Sequence, residues 1–144
     1  MLDLIIIGGS AAATAAGIYA ARRNLNFKMI TKDFGGEVAA SGEIGNWPGI
    51  IKTDGIALAQ QFKEHLKFYG VEPEEGIEVE KITVQSNGAF AISAKDLNGK
   101  AISASGRSVI VATGVRPKEL NIPGEKEFRN KGVTYCTVCD GPLF

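Results

Sequence analysis

Near one end of this 144-residue sequence two cysteines stand at a C-x-x-C spacing, Cys136-Thr137-Val138-Cys139, with Asp140 and Gly141 directly after them. Two thiols so placed can close a small disulfide ring. Each sulfur helps stabilise the other as a reactive thiolate, and a neighbouring carboxyl can move protons during exchange. The same spacing is also half of a zinc site, but zinc takes about four ligands. The single histidine, His65, lies far upstream and reads as a polar position on a helix.

A second chemistry-bearing segment opens the chain. Gly8-Gly9-Ser10-Ala11-Ala12-Ala13 stands where the G-x-G-x-x-G dinucleotide fingerprint belongs, after an apolar run and at the head of an alanine-rich one. Gly8 supplies the tight turn. Ser10 replaces the glycine that lets backbone approach a pyrophosphate, which predicts reduced affinity. Ala13 is an accepted variant of the glycine that packs helix on strand. The helix N-terminus that follows favours a phosphate through its free amides and dipole. The alternative is a small-residue turn in any α/β protein. The acidic residue expected about 20 positions on falls at Thr31-Lys32-Asp33. There Thr31 or Asp33 either accepts a ribose hydrogen bond or merely begins a turn.

These segments need a scaffold, and the pattern supplies one. Leu2-Asp3-Leu4-Ile5-Ile6-Ile7 predicts a strand covered on both faces. Residues 11–23 predict a helix whose small side chains allow close packing, and residues 27–31 a second strand, which completes a βαβ unit. Residues 33–54 are glycine-rich and read as an irregular, ligand-related loop. Residues 55–69 carry apolar side chains at helical spacing, with Gly70 as the C-terminal stop. Three β-patterned stretches follow at 78–84, 90–94 and 101–104, broken by Ser86-Asn87-Gly88 and Asn98-Gly99, and predict a small antiparallel meander. Residues 108–112 predict a further strand, closed by Thr113-Gly114; Pro117, Pro123 and Gly124 mark an irregular connector.

Composition narrows the partners. Sixteen basic side chains balance sixteen acidic ones, hydrophobic residues make up 44%, and no basic stripe marks a nucleic-acid or anionic-membrane partner. Residues 4–21 carry no charge and are long enough to span a membrane. Gly8-Gly9-Ser10 in their middle and Asp3 ahead of them favour strand, turn and helix instead. Two cysteines without a credible export signal point to a reducing, cytoplasmic setting, where a close pair is more often catalytic or metal-binding than structural.

Taken in order, the fingerprint, the Gly35-Gly36-Glu37 loop with Asn46 and Pro48-Gly49, the Ala112-Thr113-Gly114 strand end with Pro123-Gly124, and Cys136-Thr137-Val138-Cys139-Asp140-Gly141 resemble the low-molecular-weight thioredoxin reductase family. The resemblance covers essentially the whole chain. It implies a Rossmann-like, three-layer FAD/NAD(P)-binding α/β fold, here incomplete: residues 1–116 as the first part of the FAD domain, residues 117–144 as connector and start of the NADPH domain. It implies FAD held by Gly8, Ser10, Ala11, Ala12, Ala13, Thr31, Gly35, Gly36, Glu37, Asn46, Ala112, Thr113 and Gly114. Electrons are expected to run from NADPH through FAD to Cys136/Cys139 and on to a thioredoxin-like protein. Cys139 is the sulfur nearer the flavin, Cys136 the attacking one and Asp140 the acid. Glu37 departs from the family's usual Gln. The resemblance further implies a homodimer or a complementing chain, and leaves open a fragment that binds FAD or a partner without turnover of its own.

Overall fold

The computed structural model describes residues 1–129 and 131–136, and the chain divides into two compact units, Met1–Gly114 and Val115–Phe144. The first unit contains β1 (Leu2–Ile7), α1 (Ala11–Arg22), β2 (Phe27–Ile30), α2 (Gly36–Ala40), β3 (Glu43–Ile44), β4 (Thr53–Asp54), α3 (Gly55–Phe68), β5 (Ile77–Val84), β6 (Phe90–Asp96) and β7 (Ala101–Val111). Five of the strands form one sheet in the order β2-β1-β7-β6-β5. β1 runs parallel to both neighbours, whereas β5, β6 and β7 are antiparallel.

The isoleucine run does what its composition predicts. Side chains of a strand alternate between faces, so Leu4 and Ile6 pack with Ala13, Ala20, Met29, Leu66 and Val71 on the side of α1 and α3. Ile5 and Ile7 point the other way, against Ile30, Ile77, Ile92 and Ala94. The meander therefore curls over the face of the parallel strands that the helices leave bare, giving three layers: helices, parallel strands, meander. The uncharged stretch at 4–21 resolves into strand, turn and helix, and no helix among the described residues is long and apolar enough to cross a membrane.

Helix α3 starts where Asp54 accepts a hydrogen bond from the Ala57 amide at 2.9 Å, a side-chain N-cap that satisfies one otherwise free donor. It buries Leu58, Ala59, Phe62 and Leu66. Gly70, at φ 70°, then turns the chain out of the helix.

Two expectations are corrected. Residues 101–104 and 108–112, expected as separate strands, are one strand. The Ser105-Gly106-Arg107 break is continuous because Gly106 pairs with Phe90 of β6 on one side and Leu2 of β1 on the other. A Cβ there would stand 3.1 Å from the Ile5 side chain. Residues 33–54, expected as irregular, hold α2 and the antiparallel pair β3–β4. They gain this order from a core of their own: Ile44 packs on Leu58 and Phe62, and the Trp47 ring lies 5.1 Å from that of Phe62.

The second unit has neither helix nor regular strand among its described residues. Turn hydrogen bonds shape it, from the Phe128 amide to the Gly124 carbonyl at 2.9 Å and from the Val133 amide to the Phe128 carbonyl at 3.0 Å.

Candidate functional site

The carboxyl ends of β1, β2 and β7 are stitched together at one peptide group, between Ile7 and Gly8. The Gly8 amide donates to the Ile30 carbonyl at 2.9 Å, and the Ala112 amide donates to the Ile7 carbonyl at 2.8 Å. Gly8 has φ 136°, and a Cβ on it would collide with the Ala112 carbonyl oxygen. Only glycine tolerates both conditions.

The next two residues lock onto the loop beyond β2. The Ser10 hydroxyl donates to the Gly35 carbonyl at 2.6 Å, and the Gly35 amide donates to the Gly9 carbonyl at 2.7 Å. Ser10 is thus bonded sideways and makes no side-chain cap for α1, whose first turn carries no acidic residue. The amides of Ala11, Ala12 and Ala13 precede the first intrahelical donor, Thr14 to Ser10 at 2.8 Å, and have no acceptor in the helix. Open amides and the positive end of the helix dipole favour an anion at such a turn. Thr14, buried in the same turn, has a hydroxyl oxygen without a hydrogen-bond partner among the described residues.

The other expected binding residues arrange themselves unevenly around this turn. Thr31 is buried and donates its hydroxyl to the Asp33 carbonyl at 2.5 Å. Its proton shapes the turn, whereas Asp33 is exposed. Gly35 is buried, Gly36 is exposed and faces Ser10, and Glu37 lies exposed in the first turn of α2. Ala112 is half-buried at the end of β7; Ala13 is part of the core. Ala12, Thr113 and Gly114 are exposed, and Asn46 is exposed in the loop between β3 and β4. The structure therefore brings Gly8, Ser10, Gly35 and Ala112 together directly. The Ser10–Gly35 bond spans 25 positions of sequence, and no spacing rule announces it.

In the second unit Cys136 is half-buried and disulfide-bonded, and its amide donates to the Thr134 hydroxyl at 3.3 Å. Cys139 and Asp140 lie outside the described residues. Sequence reasoning missed Glu125, which is 4% exposed. Its carboxylate accepts hydrogen bonds from the Leu120 amide at 2.8 Å, the Asn121 amide at 2.5 Å and the Tyr135 hydroxyl at 2.6 Å. The bond from Tyr135, then that from Leu120, holds this carboxyl below its ordinary range, against the opposing effect of burial. The same bond pushes the Tyr135 hydroxyl up to about 12. Arg129 lies over the Tyr135 ring, 5.3 Å from its centroid, and 3.7 Å from the Glu119 carboxylate.

The chain matches the family described as pyridine nucleotide-disulphide oxidoreductase over residues 2–143. It is 36% identical to an alkyl hydroperoxide reductase subunit of Escherichia coli (strain K12) and 35% identical to an NADH dehydrogenase of Bacillus subtilis (strain 168). In each case the match covers 99% of this chain and 27% of the relative. Among solved structures it superposes on the thioredoxin reductase of T. acidophilum (34% identity, TM-score 0.77, 99% of this chain and 45% of that one). It superposes equally on that of Lactococcus lactis (33% identity, TM-score 0.78, 100% and 46%). The chain thus spans about a quarter of these curated relatives and just under half of the solved reductases, whose fold and likeness bear out the resemblance seen in the residues. With sequence match and three-layer fold in agreement, the chain belongs to the pyridine nucleotide-disulphide oxidoreductase family.

Proposed function

We propose that this chain is the FAD-binding part of a thioredoxin-disulfide reductase-like enzyme that passes electrons from NADPH through FAD to a Cys136/Cys139 disulfide and on to a thioredoxin-like protein. The observation that carries the reading is the turn at the carboxyl ends of β1, β2 and β7. Gly8 brings backbone against backbone there, Ser10 is turned aside onto Gly35, and the first amides of α1 stay open. These features fit a dinucleotide: the amides of Ala11, Ala12 and Ala13 would hold a pyrophosphate, and Thr31 or Asp33 would accept a ribose hydrogen bond. Gly35, Gly36, Glu37 and Asn46, together with Ala112, Thr113 and Gly114, would contact the rest of the cofactor. When bound, FAD supplies a carrier between a two-electron donor and a disulfide.

The protein's own chemistry is thiol exchange. The Cys136 thiolate attacks one sulfur of the partner disulfide, forms a mixed disulfide and displaces the other partner sulfur, which Asp140 protonates. The Cys139 thiolate then attacks Cys136, releasing the second partner thiolate and closing the Cys136–Cys139 bond. The partner leaves reduced by two electrons and the chain is left oxidised by two. Residues 1–116 serve as the first part of the FAD domain and residues 117–144 as connector and start of the NADPH domain. A homodimer or a complementing chain would complete the assembly.

The test is a visible absorption spectrum of the purified chain, before and after incubation with FAD and removal of the excess. Retained flavin absorption is the expected result. A folded chain that retains none overturns the cofactor assignment. Adding NADPH to the loaded chain then separates turnover from the second reading, a binding fragment inactive alone.

A further inference from the structure

Glu125 is charged yet almost completely buried, and its hydrogen bonds reach both sides of the connector: back to the amides of Leu120 and Asn121, forward to the hydroxyl of Tyr135. A carboxylate leaves water only where such bonds replace its hydration. Tyr135 immediately precedes Cys136. Its ring is held a second time, from one face, by Arg129, which also approaches Glu119. The last residue before the sulfur is therefore pinned at its tip and on its face, in a segment whose described residues form no helix or regular strand to orient it.

We propose that Glu125, acting through Tyr135, is a positioning residue for the redox sulfur: it fixes the direction in which Cys136 meets an incoming disulfide. The inference rests on the thiol-exchange reading above. Because Tyr135 titrates only near 12, its hydroxyl keeps donating to Glu125 throughout the neutral range. Positioning of this kind acts on rate, since displacing a reacting atom by about 1 Å can cost about a hundredfold.

The experiment uses the full chain, pre-reduced, with dithiobis(nitrobenzoate) as probe disulfide. Cys136 attacks one probe sulfur and releases one nitrothiolate. The second cysteine then attacks the mixed disulfide, releases the other nitrothiolate and restores the protein disulfide. Tyr135→Phe and Glu125→Gln are each expected to slow release about tenfold and to shift the midpoint potential of the protein disulfide. The double variant is expected to be no slower than Tyr135→Phe, because the two residues act as one unit. Unchanged rates and potential in both single variants overturn the proposal, as does Glu125→Gln slowing the Tyr135→Phe variant as much as it slows the wild type. Should Glu125→Gln unfold the connector, Tyr135→Phe, which keeps the ring beneath Arg129, carries the decision. A wild-type chain that releases no nitrothiolate overturns the exchange reading itself, and that result is visible without any variant.

Discussion

Gly8→Ala should be a strongly damaging single-methyl change in the first unit, and its cost can be worked from the backbone. At φ 136° an alanine pays about 1–3 kcal/mol for a sparsely populated conformation. The added carbon also runs into the Ala112 carbonyl oxygen, which is main chain and moves only by disturbing the β1–β7 ladder. Overpacking of that kind adds about 1–3 kcal/mol. The total, about 2–6 kcal/mol, is a large part of the roughly 5–15 kcal/mol that holds a typical domain together. Gly70→Ala is the control, with φ 70° and nothing within 4 Å of the added carbon. It carries the conformational cost alone, about 1 kcal/mol. In urea unfolding followed by far-UV circular dichroism, with a slope of about 2 kcal/mol/M, Gly8→Ala should lower the midpoint by about 1–3 M and Gly70→Ala by about 0.5 M. Equal midpoints for the two variants would refute the contact argument and leave only backbone strain.

Leu66→Ala, at a fully buried position between α1 and β1, should cost about 2–5 kcal/mol, read as a lowered thermal midpoint. Asp54→Ala removes the cap of α3 and should cost about 1 kcal/mol, whereas Asp54→Asn should restore most of it. Ser10→Ala breaks the bond to Gly35 without touching the helix amides, so flavin retention should weaken through a loosened loop while Ser10→Thr keeps it. In the connector, Glu125 has its pKa lowered on folding, so its stabilising contribution is present above the ordinary carboxylate range and lost as pH falls through the lowered value. Tyr135 is raised from 10.0 to about 12, so its contribution is full below pH 10.0 and lost as pH rises through about 12. A tyrosinate absorbance titration should show a step near 12 that disappears in Tyr135→Phe and moves back toward 10.0 in Glu125→Gln.

What the residues announce beforehand is what depends on neighbours in sequence. The isoleucines of β1, the alanines of α1 and the spaced apolar side chains of α3 are local periodicities, and each element forms within a residue or so of its expected limits. The continuity of β7 is not local: whether Gly106 breaks or bridges depends on two strands far from it in the chain. Ser10 reads as a weakened fingerprint in one dimension, because its bond to Gly35 exists only in three. Glu125 follows Pro123-Gly124 and carries a charge, both marks of an exposed turn, and nothing in its neighbourhood signals that Tyr135 will close over it. The C-x-x-C spacing of Cys136 and Cys139 is legible in one dimension, whereas the hydrogen bond that holds Tyr135 beside it is not.

That single long strand also sets an order of events during synthesis. β1 is made long before β7, its second neighbour, which is among the last parts of the first unit to emerge: Leu4 pairs with Ser108, and the Ser108 hydroxyl donates to the Asp3 carbonyl across 105 positions. Closing so long a loop is entropically slow. Until β7 leaves the ribosome, an isoleucine-rich strand has one open edge and one uncovered face, the hallmarks of an aggregation-prone intermediate. Chains arrested before residue 101 should therefore lean on chaperones far more heavily than those arrested after residue 111.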